Sequence, residues 1–344
     1  MMDYQAPAWL PGGNLQTVWA ALFARNVRSM PPSYRRERWT TPDADFIDVD
    51  WVDATAAAGA RHAVGLPAPP LIVLFHGLEG SSASHYARAF AAFAQEQGLA
   101  FAVAHFRGCS GELNRGPRAY HSGDYAEVDW ILRRFRAQYP GPLLAVGVSL
   151  GGNALMRWAG EVGPDAASVV RAVASVSAPL DLAAGGHAIG SGFNRLVYNR
   201  MFLRSMRPKA MGKLAQYPGL FDREALAQAQ DLYAFDNIFT APLHGFRDVE
   251  DYWRRASAKP HLPKVAVPAL LLNARNDPFI PALSLPRPHE VSRAVTLWQP
   301  PHGGHVGFPQ GRWPGHVRVM PWAVGQWLLA QAVSNSPGHN ALHG

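Results

Sequence analysis

The run Leu143-Leu144-Ala145-Val146-Gly147-Val148-Ser149-Leu150-Gly151-Gly152-Asn153 decides the fold. Its first half is apolar and rich in Leu and Val, the composition of a strand buried on both faces. It stops at Gly-x-Ser-x-Gly. Apolar residues then recur at Leu155, Trp158, Ala159 and Val162, the i, i+3, i+4, i+7 spacing of a helix with one buried face. A strand, a sharp turn and a helix form the setting in which a turn serine is pushed out above a sheet edge. Glycines flank it because the turn is strained. The first N–H groups of the helix face any negative charge that develops beside the hydroxyl. A glycine-rich turn can equally hold an ordinary serine, so the reading depends on partners elsewhere in the chain.

The surrounding chain repeats the strand-and-helix rhythm. Leu71–Phe75 is a continuous apolar run followed by His76-Gly77-Leu78-Glu79-Gly80. A helix then carries Tyr86, Phe90, Phe93 and Gln97 on one stripe and is stopped by Gly98. Residues 99–105 read as a strand and Phe106 to Gly111 as a loop. Asp124 caps the next helix, with Glu127 at the capping-box position and Val128, Ile131, Leu132 and Phe135 as its core stripe. Residues 172–176, 268–274 and 294–298 read as later strands, and 320–333 as a closing helix. Single helices between strands predict a mainly parallel, doubly wound α/β sheet.

The rhythm breaks over 185–263, where helical patterns and aromatic-rich loops replace it, and this stretch reads as an inserted helical lid. The core is then 1–184 plus 264–334, with 335–344 as a flexible tail. Upstream, residues 7–17 read as a capping segment before a short helix through Val18, Leu22 and Phe23. Residues 36–40 and 45–52 read as two strands. The second alternates acidic and apolar residues and is expected to be half exposed, with its Asp side solvated at a sheet edge.

A serine nucleophile needs a base, and the base needs an orienting carboxylate. Loops after the C-terminal ends of strands supply such groups in a doubly wound sheet. The strand at 268–274 ends in Asn276-Asp277-Pro278, and the last strand leads to Gly303-Gly304-His305. Ser149, Asp277 and His305 thus follow one another in α/β-hydrolase order. Asp181 competes for the acid role and His302 for the base, while His316 lies further from the strand end. Backbone N–H groups of Leu150 and Leu78 are the candidate oxyanion donors. Cys109 is an alternative nucleophile without a histidine placed to serve it, and it reads more simply as a small buried loop residue.

Composition excludes other classes. The 344 residues are 48% hydrophobic and 17% charged, which suits a folded protein with a sizeable core. A net charge of +7, spread rather than clustered, argues against nucleic acid as a partner. The one cysteine rules out an intramolecular disulfide and a cysteine-based zinc site. The 14 histidines show no His-Glu-x-x-His spacing, so no catalytic metal is expected, and the elbow fits neither glycine-rich nucleotide motif, so no cofactor is expected. No signal peptide or membrane span is visible, which reads as a cytoplasmic protein. The mixture of basic and apolar residues along 193–213 admits peripheral membrane contact, although a lid helix covering the site accounts for it as well.

These residues resemble a known family, the α/β-hydrolase group of bacterial YheT-type hydrolases and eukaryotic medium-chain acyl esterase/acyltransferase and phospholipase-like members. The resemblance rests on Leu15-Gln16-Thr17, His76-Gly77-Leu78-Glu79-Gly80, Phe106-Arg107-Gly108-Cys109-Ser110-Gly111 and the elbow itself. It continues through Phe239-Thr240-Ala241-Pro242, Asp251-Tyr252-Trp253, Asn276-Asp277-Pro278 and Gly303-Gly304-His305. It spans nearly the whole chain and implies an α/β-hydrolase fold with a Ser149–Asp277–His305 triad, leaving Cys109 as a loop residue. The activity it implies is hydrolysis of short- to medium-chain acyl esters, monoacylglycerols among them, through an acyl-enzyme on Ser149. An acyltransferase passing the acyl group to an alcohol is the alternative. A small-molecule acyl ester is the expected partner.

Overall fold

Five apolar runs become the centre of one sheet. They are β3 (Leu71–Phe75), β4 (Ala100–Ala104), β5 (Leu143–Val148), β6 (Ala172–Val176) and β7 (Ala269–Leu272). With β1 (Arg35–Thr40), β2 (Phe46–Val52) and β8 (Val295–Trp298) they form eight strands in the order β1-β2-β4-β3-β5-β6-β7-β8. The pairs β1–β2 and β2–β4 are antiparallel and the rest parallel. The computed structural model describes residues 4–24, 32–54 and 68–334. The tail expected at 335–344 lies outside them.

The strands read as unbroken apolar runs because both faces of the sheet are covered. Side chains alternate between faces. Leu71, Val73, Phe75, Ala145 and Leu271 pack on one side, beneath α3 (Tyr125–Gln138) and α4 (Leu150–Val162). Ile72, Leu74, Val146, Ala174 and Leu272 pack on the other, beneath α2 (His85–Glu96) and α8 (Val319–Ser334). The helical stripes read from sequence face inward, with Phe90, Phe93, Val128, Ile131, Leu132, Phe135, Leu155 and Trp158 fully buried; Gln97 is the exception, an exposed residue that caps the end of α2. Asp124 caps α3 by accepting from the Glu127 N–H at 3.3 Å.

Two elements depart from the sequence reading. Helix α1 (Gly12–Phe23) starts before the expected position and buries Gln16, Thr17, Trp19 and Ala20, while Leu22 and Phe23 point outward. Strand β2 is not a half-exposed edge. Strand β1 covers that edge, and every residue of β2 is buried. The register sets Arg36 opposite Asp50 and Arg38 opposite Asp48, so the aspartates meet arginines rather than water. Asp50 accepts from Arg36 Nε at 2.7 Å, Ser82 Oγ at 2.6 Å and His105 Nε2 at 2.9 Å. Burial alone would raise the Asp50 pKa, but the bonds from Arg36, His105 and Ser82 outweigh it and hold the carboxyl well below the usual carboxylate range.

Between β6 and β7 the chain is helical, with no strand among the described residues. Helix α5 (Leu182–Ile189) ends at a two-residue turn, after which a turn of helix (Gly192–Asn194), a π-helical turn (Arg195–Asn199) and α6 (Arg200–Gln216) run on without a break. Two short helices (Arg223–Gln228 and Leu232–Phe235) follow. Helix α7 (Val249–Ala256) closes the stretch.

Asp50→Asn is expected to lower stability near neutral pH by about 3 kcal/mol, since one partner of a buried pair is removed. Because the Asp50 pKa is depressed in the folded state, its contribution is present above the unfolded value and is lost as pH falls below about 4. Thermal melts across pH 2–7 should therefore show the gap between wild type and variant closing on the acid side.

Candidate active site

The site lies where β3, β5, β6 and β7 end, on the side of the sheet that parallel α/β folds use for ligands. Ser149 joins β5 to α4 with φ +52° and ψ −119°, a backbone state that costs a residue with a side chain about 1–3 kcal/mol. The neighbouring backbone makes this turn tight. A Cβ on Gly151 would lie 2.4 Å from the Phe75 carbonyl oxygen, so only glycine lets α4 start so close to the end of β3. The Ser149 hydroxyl is left at the floor of a pocket beside His305, Leu78 and Leu150.

His305 sits in the loop after β8. Its Nε2 lies 3.0 Å from Ser149 Oγ and its Nδ1 lies 2.9 Å from Asp277 Oδ2. Asp277 follows β7 and is buried, and its other oxygen accepts the Phe279 N–H at 2.8 Å. The Phe279 ring packs on the His305 imidazole with centroids 4.3 Å apart, which fixes the plane of the ring. A hydroxyl, an imidazole and a carboxylate in this line can move one proton off the hydroxyl and stabilise the resulting imidazolium.

The rival groups stand elsewhere. Asp181 caps α5 through the Ala184 N–H, and His302 is exposed with its Nδ1 3.5 Å from Asn276. His316 pairs through its backbone with Gln310, away from the pocket. Cys109 is buried, and burial pushes its thiol up to about 12, which leaves it protonated and unreactive at neutral pH.

The backbone N–H groups of Leu78 and Leu150 border the same pocket, and neither meets an internal acceptor among the described residues. The loop that carries Leu78 is held from below by His76. Burial, with a smaller effect from His105, lowers the His76 pKa to about 3, so the ring is neutral. Its Nε2 accepts the Phe106 N–H at 3.0 Å, which assigns the proton to Nδ1, donated to the Gly77 carbonyl at 2.8 Å. The Tyr86 hydroxyl accepts the Gly77 N–H at 2.9 Å.

A family model of the α/β-hydrolase fold matches residues 70–311. The chain belongs to the α/β-hydrolase family, in its YheT-type branch. It is 40% identical over 326 residues to the putative esterase YheT of Escherichia coli, covering 94% of this chain and 92% of that protein. It is 29% identical over 323 residues to phospholipase ABHD3 of Mus musculus, covering 91% of this chain and 77% of that one. A crystal structure of a membrane phospholipase A shares the fold at a TM-score of 0.54, 15% identity, and 94% and 90% coverage. The chain is an enzyme of the hydrolase class.

Within this α/β-hydrolase, α1 supports the site in a way that spacing did not reveal. Gln16 is buried and its Oε1 accepts both the Gly303 N–H at 2.9 Å and Asn276 Nδ2 at 3.0 Å. Thr17 Oγ1 accepts the His305 N–H at 2.8 Å and donates to the Gly13 carbonyl at 2.7 Å. Asn276 Oδ1 accepts the Gly304 N–H at 3.0 Å. The loops bearing Asp277 and His305 are thus tied to each other through one helix more than 250 residues upstream.

The pocket walls are apolar on the side of the helical stretch, with Ile189, Phe202, Met206, Phe235 and Phe239. They are polar near Leu78, where Lys209 Nζ meets Glu79 Oε2 at 2.9 Å and the Tyr120 hydroxyl donates to Glu79 Oε1 at 2.9 Å. Lys209 and Lys213 of α6 therefore face inward, whereas Arg195, Arg200 and Arg204 face out.

Gln16→Ala should leave the chain folded, lower its melting temperature modestly, and cut kcat by about 10- to 100-fold through misplacement of His305. KM should change far less. Steady-state kinetics beside a thermal melt check this.

Proposed function

We propose that the protein is a serine carboxylic-ester hydrolase acting on short- to medium-chain acyl esters, with monoacylglycerols among the candidate substrates. The observation that carries the reading is the relay at the pocket floor, with Ser149 Oγ 3.0 Å from His305 Nε2 and His305 Nδ1 2.9 Å from Asp277. The mostly apolar walls above it suit an acyl chain. The names borne by the relatives, a putative esterase and a phospholipase, agree with ester hydrolysis.

In this reading Ser149 Oγ attacks the ester carbonyl carbon while His305 takes its proton. Negative charge then collects on the carbonyl oxygen, where the Leu78 and Leu150 N–H groups are free to donate. The tetrahedral intermediate collapses, the C–O bond to the alcohol breaks, and His305 gives the alcohol its proton. Water, deprotonated by His305, then attacks the acyl-enzyme and releases the acid and the Ser149 hydroxyl. Asp277 holds the imidazole with its proton on Nδ1 throughout and stabilises the cation. The helical stretch between β6 and β7 acts as the lid, and its apolar inner wall receives the acyl chain.

Ser149→Ala should lower kcat on p-nitrophenyl butyrate by about four orders of magnitude or more, with no loss of melting temperature. Turnover retained by Ser149→Ala would count against the mechanism.

A further inference from the structure

The helix that roofs the pocket has a second face. Phe202, Met206, Lys209 and Ala210 line the pocket. On the other side of the same helical run, Phe193, Leu196 and Met201 are each more than half exposed. Soluble proteins scatter single apolar residues over their surface, but apolar residues at i, i+3 and i+8 along one helix form a stripe.

The stripe continues onto a neighbouring element. The Tyr198 hydroxyl donates to Asn14 Oδ1 of α1 at 3.1 Å, and Val18 of α1 packs in the same cluster as Tyr198, Phe279 and Phe202. On α1, Leu15, Leu22 and Phe23 are at least half exposed. Both elements stand at the catalytic end of the molecule, because α1 carries Gln16 and Thr17 beneath the His305 loop. Arg195, Arg200 and Arg204 are exposed along the same helical run. Among the described residues, no carboxylate lies within ion-pair distance of Arg200 or Arg204, and the Arg195 contact with Asp231 is a loose 3.9 Å.

We infer that this face docks on an anionic lipid surface, with Leu15, Leu22, Phe23, Phe193, Leu196 and Met201 entering the interface and the three arginines meeting lipid phosphates. Apolar residues on one side with basic residues beside them are the composition by which a helix lies in a bilayer interface. The same arginines argue against a symmetric second copy as the occupant, since a two-fold contact through this face would bring like charges together. Docking here turns the pocket roof toward the membrane and delivers acyl esters from the lipid phase. The contact does not depend on Ser149 chemistry, so it is measured on Ser149→Ala.

The test is flotation of full-length Ser149→Ala with vesicles of phosphatidylcholine alone and of equal parts phosphatidylcholine and phosphatidylglycerol. The expected result is at least tenfold more protein bound to the anionic vesicles, with binding weakened by 0.5 M NaCl. Leu196→Asp combined with Met201→Asp should reduce binding at least tenfold. Arg200→Glu combined with Arg204→Glu should abolish the preference for anionic lipid. In the Ser149 background, the Leu196/Met201 variant should keep kcat/KM on soluble p-nitrophenyl butyrate within twofold and lose at least tenfold on vesicle-borne ester. The inference is overturned if Ser149→Ala floats with neither vesicle, or if the apolar-face variant floats as well as its parent. It is also overturned if light scattering shows a dimer that the same variant dissociates without any vesicle binding. Absence of esterase activity in the protein that retains Ser149, with flotation intact, would instead refute the hydrolase reading alone.

Discussion

The structure depends on the closeness with which helix α4 begins beside the end of strand β3. Gly151 meets the Phe75 carbonyl with no room for a Cβ, and this packing forces Ser149 into a left-handed backbone state. The strain is maintained by the sheet, whose central strands are buried on both faces and cannot relax without exposing apolar surface. What the strain produces is a hydroxyl lifted clear of the sheet edge, with the N–H of Leu150 beside it and the Leu78 loop across from it. The chemistry we propose for Ser149 is a consequence of that backbone geometry before it is a consequence of His305.

Around the elbow, three polar systems hold the loops in register. His76, kept neutral by burial, ties the Leu78 loop to Phe106. Gln16, Thr17 and Asn276 tie the Asp277 and His305 loops together. Arg107 is buried among Asp43, Asp45 and Glu127 and fixes the loop after β4 that borders the pocket. Each system is centred on a buried group with several partners, His76, Gln16 or Arg107, so each holds one arrangement and resists alternatives. The pocket is thus built on rigid loops on the sheet side, while its apolar roof comes from helices whose outer face stays in contact with solvent.

Much of this was legible in the chain. The elbow and the buried strands follow from unbroken apolar runs that end in glycine-rich turns, and the stripes on α2, α3 and α4 from a periodicity of 3.6. The order of Ser149, Asp277 and His305 followed from where strands end. The parts that were not legible are those decided by distant partners. Asp48 and Asp50 alternate with apolar residues as a solvated edge would, and only the register with Arg36 and Arg38 reveals that they are buried. The Gly12-Gly13 pair read as part of a capping segment ahead of the helix. It opens α1 instead, and position 13 must be glycine because a Cβ there would come within 1.8 Å of the Asn276 carbonyl oxygen, a contact no local pattern encodes. Gln16 and Thr17 carried no signal beyond their part in a family motif. In the 193–213 stretch, composition alone could not separate the inward lysines from the outward arginines, since the π-helical turn shifts the faces partway along.

The account's central claim is that Ser149 alone is the activated nucleophile of this chain. The most direct measurement is labelling of the folded protein with a fluorophosphonate, followed by peptide mass spectrometry. The account predicts one adduct per chain, on the peptide containing Ser149, with labelling lost after heat unfolding and in His305→Ala. Modification at Cys109 or another serine, or no labelling of a folded protein that still hydrolyses esters, would contradict it.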